Sequence, residues 1–366
     1  MKEIFDRAMR RLGVKRVMFS ICKKKAMKCL PLSMGEKEAI SALELHSPDP
    51  KSSSITPKKE FGNDYDLAIV VPAYNVEKYI TQCIQSVLSQ KTEYSFRVIC
   101  VDDGSTDHTG QLLDNICDEK LSVIHQTNKG FSGARNRGLQ EVAGKYIMFL
   151  DSDDFLPQGT IQALMTCALQ NDADIVEGGV IQCHENGSGR NQSSHVAGRI
   201  ESFSGLTGYP FAKVYRNSLF SEVSFPENYW YEDSLVRQIL YPSANVIFGI
   251  DVPVYCRRDN PSGITNTGVR KKKSIDSLYV TLSLYRDRCR IGLPVNQEYY
   301  EYILRMAKLT YLRTRFQSED VKKALFIVFS SFILREFPSY HSQKNAVLEN
   351  ALRSRKYELF SLWCEM

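Results

Sequence analysis

The sequence predicts an α/β protein: a mostly parallel, Rossmann-like sheet flanked by helices, followed by a helical C-terminal region. Three observations lead there. From about residue 65, apolar runs of strand length alternate with segments of helical spacing. The strand-like runs are apolar almost throughout, as in parallel sheets covered on both faces. From about Ser274 onward, long amphipathic patterns take over.

The elements follow in order. "DLAIVVPAYN" is an apolar run closed by a turn, and "VEKYITQCIQSVLSQ" then places Ile80, Cys83, Ile84, Val87 and Leu88 at helical spacing. "FRVICVDDGS" repeats the strand, "HTGQLLDNIC" the helix, "LSVIHQ" the strand, "SGARNRGLQEVA" the helix and "YIMFLDSDD" the strand. Residues 174–260 are less regular, with short strands in "DIVEGGVIQC", "NVIFGI" and "VPVYCRR" around one helix, "EDSLVRQILY". Three helical segments follow: "SIDSLYVTLSLYRDRC", "QEYYEYILRMAKLTYLRTRF" and "VKKALFIVFSSFILREF". Residues 46–64 concentrate Pro, Ser, Lys and Gly without a period, which marks a linker or a mobile loop. The expected divisions are a basic extension and linker over 1–64, the α/β domain over 65–265 and a helical region over 266–366.

Composition narrows the function. With 43% hydrophobic and 24% charged residues in 366, the chain has the make-up of a soluble globular protein. The net charge of +5 is unevenly placed: residues 1–35 hold ten Lys/Arg against Glu3 and Asp6, a net +8, which leaves about −3 for the rest. The main body therefore has no basic excess to recommend nucleic acid as a partner. The basic N-terminus has two readings, contact with an anionic membrane or a packed helix with a solvated basic face. The ten cysteines include no CxxC pair and read as reduced core thiols of a cytosolic protein. No secretory pattern opens the chain, and the apolar run "ALFIVFSSFIL" is about half of what a spanning helix needs, so it is expected to be a buried helix.

The turns after the strands carry the chemistry. In parallel sheets ligands bind at the carboxyl ends of strands, so "PAYN", "DDGS" and "DSDD" are expected to converge on one site. "DSDD" puts Asp151, Asp153 and Asp154 within four positions. Burying that charge without a partner costs many kcal/mol, so the turn lies in water or binds something positive. Asp151-Ser152-Asp153 offers oxygens to a hard divalent cation, Mg²⁺ or Mn²⁺; a solvated turn or a helix N-cap before "PQGTIQALM" would look the same. Asp102-Asp103-Gly104-Ser105 has the form of a carboxylate accepting the imide N–H of a uracil ring, or of a capped βα turn. The spacing excludes an EF-hand and a P-loop, and no GxGxxG follows a strand. None of the six histidines falls at metal-ligand spacing.

Together the motifs "VVPAYNVEKYITQCIQSVLSQ", "VDDGSTDHT", "NKGFSGARNRGLQEVAGKYIMFLDSDD" and "WYEDSLV" resemble, in order and spacing, the family 2 inverting glycosyltransferases of bacterial surface polysaccharide synthesis. The resemblance covers roughly residues 66–260 and implies the GT-A fold, a nucleoside-diphosphate sugar donor (uridine being the commonest base) and a saccharide or lipid-linked acceptor. By the same resemblance Pro72, Tyr74 and Asp103 hold the nucleotide base, and Arg135 lies beside the nucleotide. Asp151, Ser152 and Asp153 form the DxD element, with Asp153 nearest the metal, Mn²⁺ or Mg²⁺. Asp233 matches the catalytic base and Glu232 its companion. "YCRRDNPSGIT" resembles a late element in which Arg257 or Arg258 pairs with phosphate oxygens, although Gly263 stands where serine is common. "PFAKVYRNSLF" resembles a segment before the acceptor site, which would put Lys213 there if it is not simply solvated. Trp230 has two readings, stacking on an acceptor sugar or packing in the core. Two rival functions are a silent GT-A-like binding module and a nucleotidyltransferase. The three carboxylates argue against the first and the glycine-free "PAYNVEKY" against the second.

Overall fold

The computed structural model describes residues 26–192, 196–261, 263 and 270–365. Most of the basic N-terminal segment and part of "SGIT" therefore lie outside the described residues. Contacts divide the chain into two units. One comprises Pro50–Asn266 with Leu282–Pro294; the other comprises the described residues up to Asp49, from 270 to Thr281, and from Val295 onward.

The first unit is built on a mixed sheet. After α1 (Glu36–His46), which belongs to the helical unit, the chain forms β1 (Tyr65–Ala73), α2 (Ile80–Leu88), β2 (Phe96–Asp102), α3 (Thr109–Asp114), β3 (Leu121–His125), α4 (Gly130–Gln140), β4 (Gly144–Phe149) and α5 (Thr160–Gln170). β5 (Ile175–Cys183), β6 (Gly189–Gln192), β7 (Gly198–Arg199), β8 (Lys213–Arg216) and β9 (Ile247–Arg258) complete the sheet. The order is β3-β2-β1-β4-β8-β5-β9-β7, with β6 on β5. The expected parallel sheet appears in β1–β4; β8 then enters antiparallel between β4 and β5, and β9 runs parallel to β5. β1 is buried along Leu67–Ala73, which is why its sequence is apolar rather than alternating. Ile80, Cys83, Ile84 and Val87 of α2 lie in the same core as Ile69, Val71, Val98 and Met148.

Three local expectations change. "NVIFGI" and "VPVYCRR" form one bent strand, β9, whose register against β5 shifts on either side of Gly179. "EDSLVRQILY" is not one regular helix: it holds a π-helical stretch, Val236–Leu240, followed by a short α-turn, Tyr241–Ser243. Pro242 has no N–H to offer the carbonyl one turn back, and that carbonyl, of Gln238, accepts from Arg288 Nη1 at 2.6 Å instead. The presumed linker is in part a packed strap. Ser54 donates from its N–H and Oγ to Asp287 Oδ2 (2.6 and 2.8 Å), and Thr56 and Lys59 donate backbone N–H groups to Glu222 and Ser221.

The helical unit contains α1, the start of α6 (Asp276–Arg290), α7 (Gln297–Arg313), α8 (Glu319–Glu336), α9 (Ala346–Arg353) and α10 (Tyr357–Cys364). As expected, the run 324–333 of α8 is buried. Among the described residues no helix is long and apolar enough to cross a membrane, and the described cysteines are free thiols.

Gly144 opens β4 where it meets β1, and a Cβ there would lie 2.6 Å from the Ala68 nitrogen. Gly144→Ala must push two backbones apart, with an expected loss of roughly 1–3 kcal/mol in urea denaturation. A loss under about 0.5 kcal/mol, the level of an ordinary surface change, would show that the strands are not closely apposed there.

Candidate active site

The carboxyl ends of β1, β2 and β4 converge as the parallel topology demands. β1 ends at buried Pro72 and Ala73, and Tyr74 is half exposed. Asn75 closes the next turn, donating its N–H to Ser105 Oγ at 3.0 Å and accepting the Thr106 N–H at 2.8 Å. Beside it, Asp103 is 2% exposed. Its Oδ1 accepts from Gln126 Nε2 at 2.7 Å and the Lys129 N–H at 2.8 Å, while Oδ2 has no hydrogen bond among the described residues. Asp102 organises the turn, accepting the Ser105 N–H at 3.1 Å and meeting His125 Nδ1 at 2.9 Å. Hydrogen bonds to Asp102 and Asp114 hold the His125 pKa above its ordinary value. Gly104 has φ +74°, and a Cβ there would meet the Asn128 nitrogen at 2.9 Å, so no other residue fits the turn without strain.

The DxD turn follows β4. Arg135, on α4 and 6% exposed, donates from Nη2 to Asp151 Oδ1 at 2.8 Å and from Nη1 to Glu232 Oε1 at 2.5 Å. The positive partner that "DSDD" demanded is thus supplied in part from within the chain. Burial opposes the Arg135 charge, but Asp151 and Glu232 hold it firmly protonated. Burial pushes the Glu232 carboxyl up to about 7, against the downward pull of Arg135 and with a further push from Asp233. Asp233 is half-buried next to it. Tyr231, just before the pair, sits at φ +67°, a left-handed turn that costs a non-glycine residue of order 1–3 kcal/mol.

Burial and the Asp151 charge push Asp153 up, while Asn260 Nδ2, 2.9 Å from its Oδ2, works the other way. Ser152 and Asp154 are buried. Asp154 has a positioning role that sequence reasoning missed, accepting from the Tyr255 hydroxyl and the Arg258 N–H, both at 2.7 Å. Arg258 in turn donates to the Asp153 carbonyl (2.8 Å), the Glu185 carbonyl (2.7 Å) and Gln82 Oε1 (2.7 Å). Of the arginine pair, then, Arg258 is a buried fastener. Arg257 is part-exposed, makes no ion pair among the described residues, and lies 5.3 Å from the ring centroid of Tyr209. Tyr209 stacks on Phe211 (4.9 Å), which stacks on Tyr255 (4.4 Å), so an aromatic ladder runs from Arg257 to the DxD turn.

Two further expectations meet different outcomes. Trp230 is part-buried three residues before Asp233. Lys213 neither lines an acceptor site nor lies in water: it is 0% exposed, with Nζ 3.0 Å from Glu177 Oε2 and donating to Thr207 Oγ1 (2.9 Å) and the Tyr209 carbonyl (2.7 Å). Glu177 and Lys213 are register partners on β5 and β8, so pairing of the strands encloses the two charges together. Among the described residues no three His, Cys, Asp or Glu side chains gather into a metal cage.

Residues 68–225 match the family described as Glycosyl transferase family 2. The chain is 30% identical over 250 residues to glycosyltransferase GlyG of Streptococcus pneumoniae, spanning 63% of this chain and 83% of GlyG. It is 32% identical over 221 residues to the uncharacterized glycosyltransferase EpsJ of Bacillus subtilis, spanning 54% of this chain and 62% of EpsJ. In fold it is similar to S. aureus TarS 1–349 solved with UDP-GlcNAc, with a TM-score of 0.65, 21% identity and coverage of 81% of this chain and 89% of that one. The chain belongs to glycosyltransferase family 2 and is a glycosyltransferase.

Lys213→Met leaves Glu177 buried without its ion partner and is expected to cost roughly 3–5 kcal/mol in urea denaturation; a loss below about 1 kcal/mol would mean that the pair is not enclosed. Glu232 has a folded-state pKa of about 7, above its unfolded value, so the folded state binds the extra proton. Its contribution is fully present below the unfolded pKa and is lost as pH rises through about 7. The Tm of wild type relative to Glu232→Gln should therefore fall between pH 5 and about 7.5; a constant difference across that window would contradict the shift.

Proposed function

We propose that this protein transfers a sugar from a nucleoside-diphosphate sugar, with uridine as the base, to a hydroxyl of a saccharide or lipid-linked saccharide, inverting the anomeric centre. The observation that carries this reading is the joint position of Asp103, Asp151, Asp153 and the Glu232–Asp233 pair around one sheet edge, with Arg135 bonded to both Asp151 and Glu232. Asp103 Oδ2 accepts the imide N–H of the base, with Pro72 and Tyr74 against the ring. Arg257, which lies against Tyr209 and makes no ion pair among the described residues, receives phosphate oxygens. Asp233 takes the proton of the acceptor hydroxyl as general base, and Glu232 holds Arg135 beside it. Trp230 offers an aromatic face to the acceptor.

The donor set fits a divalent cation, Mn²⁺ or Mg²⁺. The Asp151 charge disfavours the ionised form of Asp153, and a cation held there would relieve that repulsion. Asp153 is the principal ligand and Asp151, shared with Arg135, the second. When bound, the ion stabilises charge on the departing phosphate. A cytoplasmic location, with peripheral contact at the inner face of the membrane through the basic N-terminus, and a role in polysaccharide synthesis complete the reading.

A thermal-shift panel of UDP, GDP, dTDP and CDP, each with and without Mn²⁺, should show a metal-dependent rise in Tm for UDP, and Asp153→Ala should abolish the metal dependence. Asp233→Asn should retain nucleotide binding while transfer falls roughly 10²–10⁴-fold. Unchanged transfer by folded Asp233→Asn would remove Asp233 as the base, and a panel without any shift would remove the donor assignment.

A further inference from the structure

A surface of the helical unit serves none of the steps above. Gln317 gathers three stretches of chain there: its Nε2 donates to the Lys271 carbonyl (2.9 Å) and Ser274 Oγ (3.1 Å), and its Oε1 meets His46 Nε2 at 2.9 Å. The end of α1, the stretch 270–274 and the stretch after α7 are thereby held side by side. Five cations lie exposed on these stretches: Arg270, Lys271, Lys272, Lys273 and Arg315. Among the described residues Arg270, Lys271, Lys272 and Arg315 are in no ion pair, and Lys273 lies 4.0 Å from buried Asp276. Two large apolar side chains stand out from the same stretches, Phe316 at 53% exposure and Leu45, next to His46, at 88%. The guanidinium groups of Arg270 and Arg315 lie 5.0 and 4.9 Å from the Phe316 ring centroid. Of the neighbouring acids, Glu44 accepts the Asp49 N–H and Glu319 meets Lys322 and the Tyr357 hydroxyl, while Asp320 is exposed in the first turn of α8 and leaves the face with a cationic excess.

We propose that this face docks on an anionic lipid surface. Cations near a bilayer of anionic lipids are drawn to it and are weakened by salt, and apolar side chains among them enter the headgroup boundary. A soluble polyanion would satisfy the five charges but leave Phe316 and Leu45 in water. Lipid is therefore the occupant that uses both halves of the surface. The inference rests neither on donor chemistry nor on the basic N-terminal segment.

The test is co-sedimentation of the full chain with phosphatidylcholine vesicles, with and without phosphatidylglycerol, over a range of salt. Wild type should bind only the anionic vesicles and lose binding as salt rises. Replacing Arg270, Lys271, Lys272 and Lys273 together by Gln should weaken partitioning by nearly three orders of magnitude, at about fivefold per cation. Leu45→Ser with Phe316→Ser, which leaves every charge in place, should weaken it about tenfold. Both variants should keep the wild-type circular dichroism spectrum and donor-nucleotide thermal shift. Unchanged partitioning of the folded Gln variant, or no binding of wild type to anionic vesicles, would overturn the proposal. So would a serine variant that partitions as wild type does while inorganic polyphosphate competes fully, an outcome that would make the face a polyanion site.

Discussion

Arg135 is enclosed by the sheet unit, and its guanidinium is shared between Asp151 at 2.8 Å and Glu232 at 2.5 Å. The site depends on this one sharing. The DxD turn and the acid pair come from distant parts of the chain; Glu232 is buried and Asp151 part-buried, and the enclosed carboxylate would be costly alone. A planar guanidinium with several donors in fixed directions can hold both at once, which the point charge of a lysine does less well. Phe225, 5.3 Å from the same group, closes the apolar side. The strained turn at Tyr231 is tolerable in that setting, because the bond that Glu232 makes with Arg135 holds the segment against relaxation.

Two other buried charges do related work where the sheet stops being parallel. Asp154 ties the DxD turn to β9 through Tyr255 and the Arg258 backbone, fastening the far strand to that turn. Lys213 and Glu177 face each other across β8 and β5. Slipping that register by one residue would turn both charges to the opposite face and break the pair. The irregular half of the sheet adds these polar fasteners to an apolar core that includes Val176, Val214 and Val254, while the parallel half is fastened mainly by apolar packing.

That difference explains what could be read in advance. β1 to β4 and their helices were legible because strands buried on both faces are apolar throughout and helices between them keep their period. The turns carrying Asp103, Asp151 and Asp153 were legible because each follows such a strand. The linker reading missed the packing of residues 50–64, since Ser53, Ser54 and Asp287 are hydrogen-bond partners that no local pattern pairs. The helix expected from "EDSLVRQILY" widens into a π-helical stretch one turn ahead of Pro242, a residue that lies just outside that segment. Lys213 was misplaced for a different reason: nothing in "PFAKVYRNSLF" records that Glu177 lies opposite.

By itself the sequence determined the α/β class and the turns that carry Asp103, Asp151 and Asp153, because these follow from local periodicity and from residue types set beside strands; the acid pair at 232–233 was singled out only by its resemblance to a family motif. Only the tertiary structure decided which charges serve the site and which serve the fold. Arg135 became the shared partner of two carboxylates, Arg258 and Lys213 became internal fasteners, and Arg257 stayed part-exposed with no ion pair among the described residues. The physical reason is that an ion's role depends on what is brought within about 3–4 Å of it in low dielectric, and that proximity is made by strand pairing across long stretches of chain.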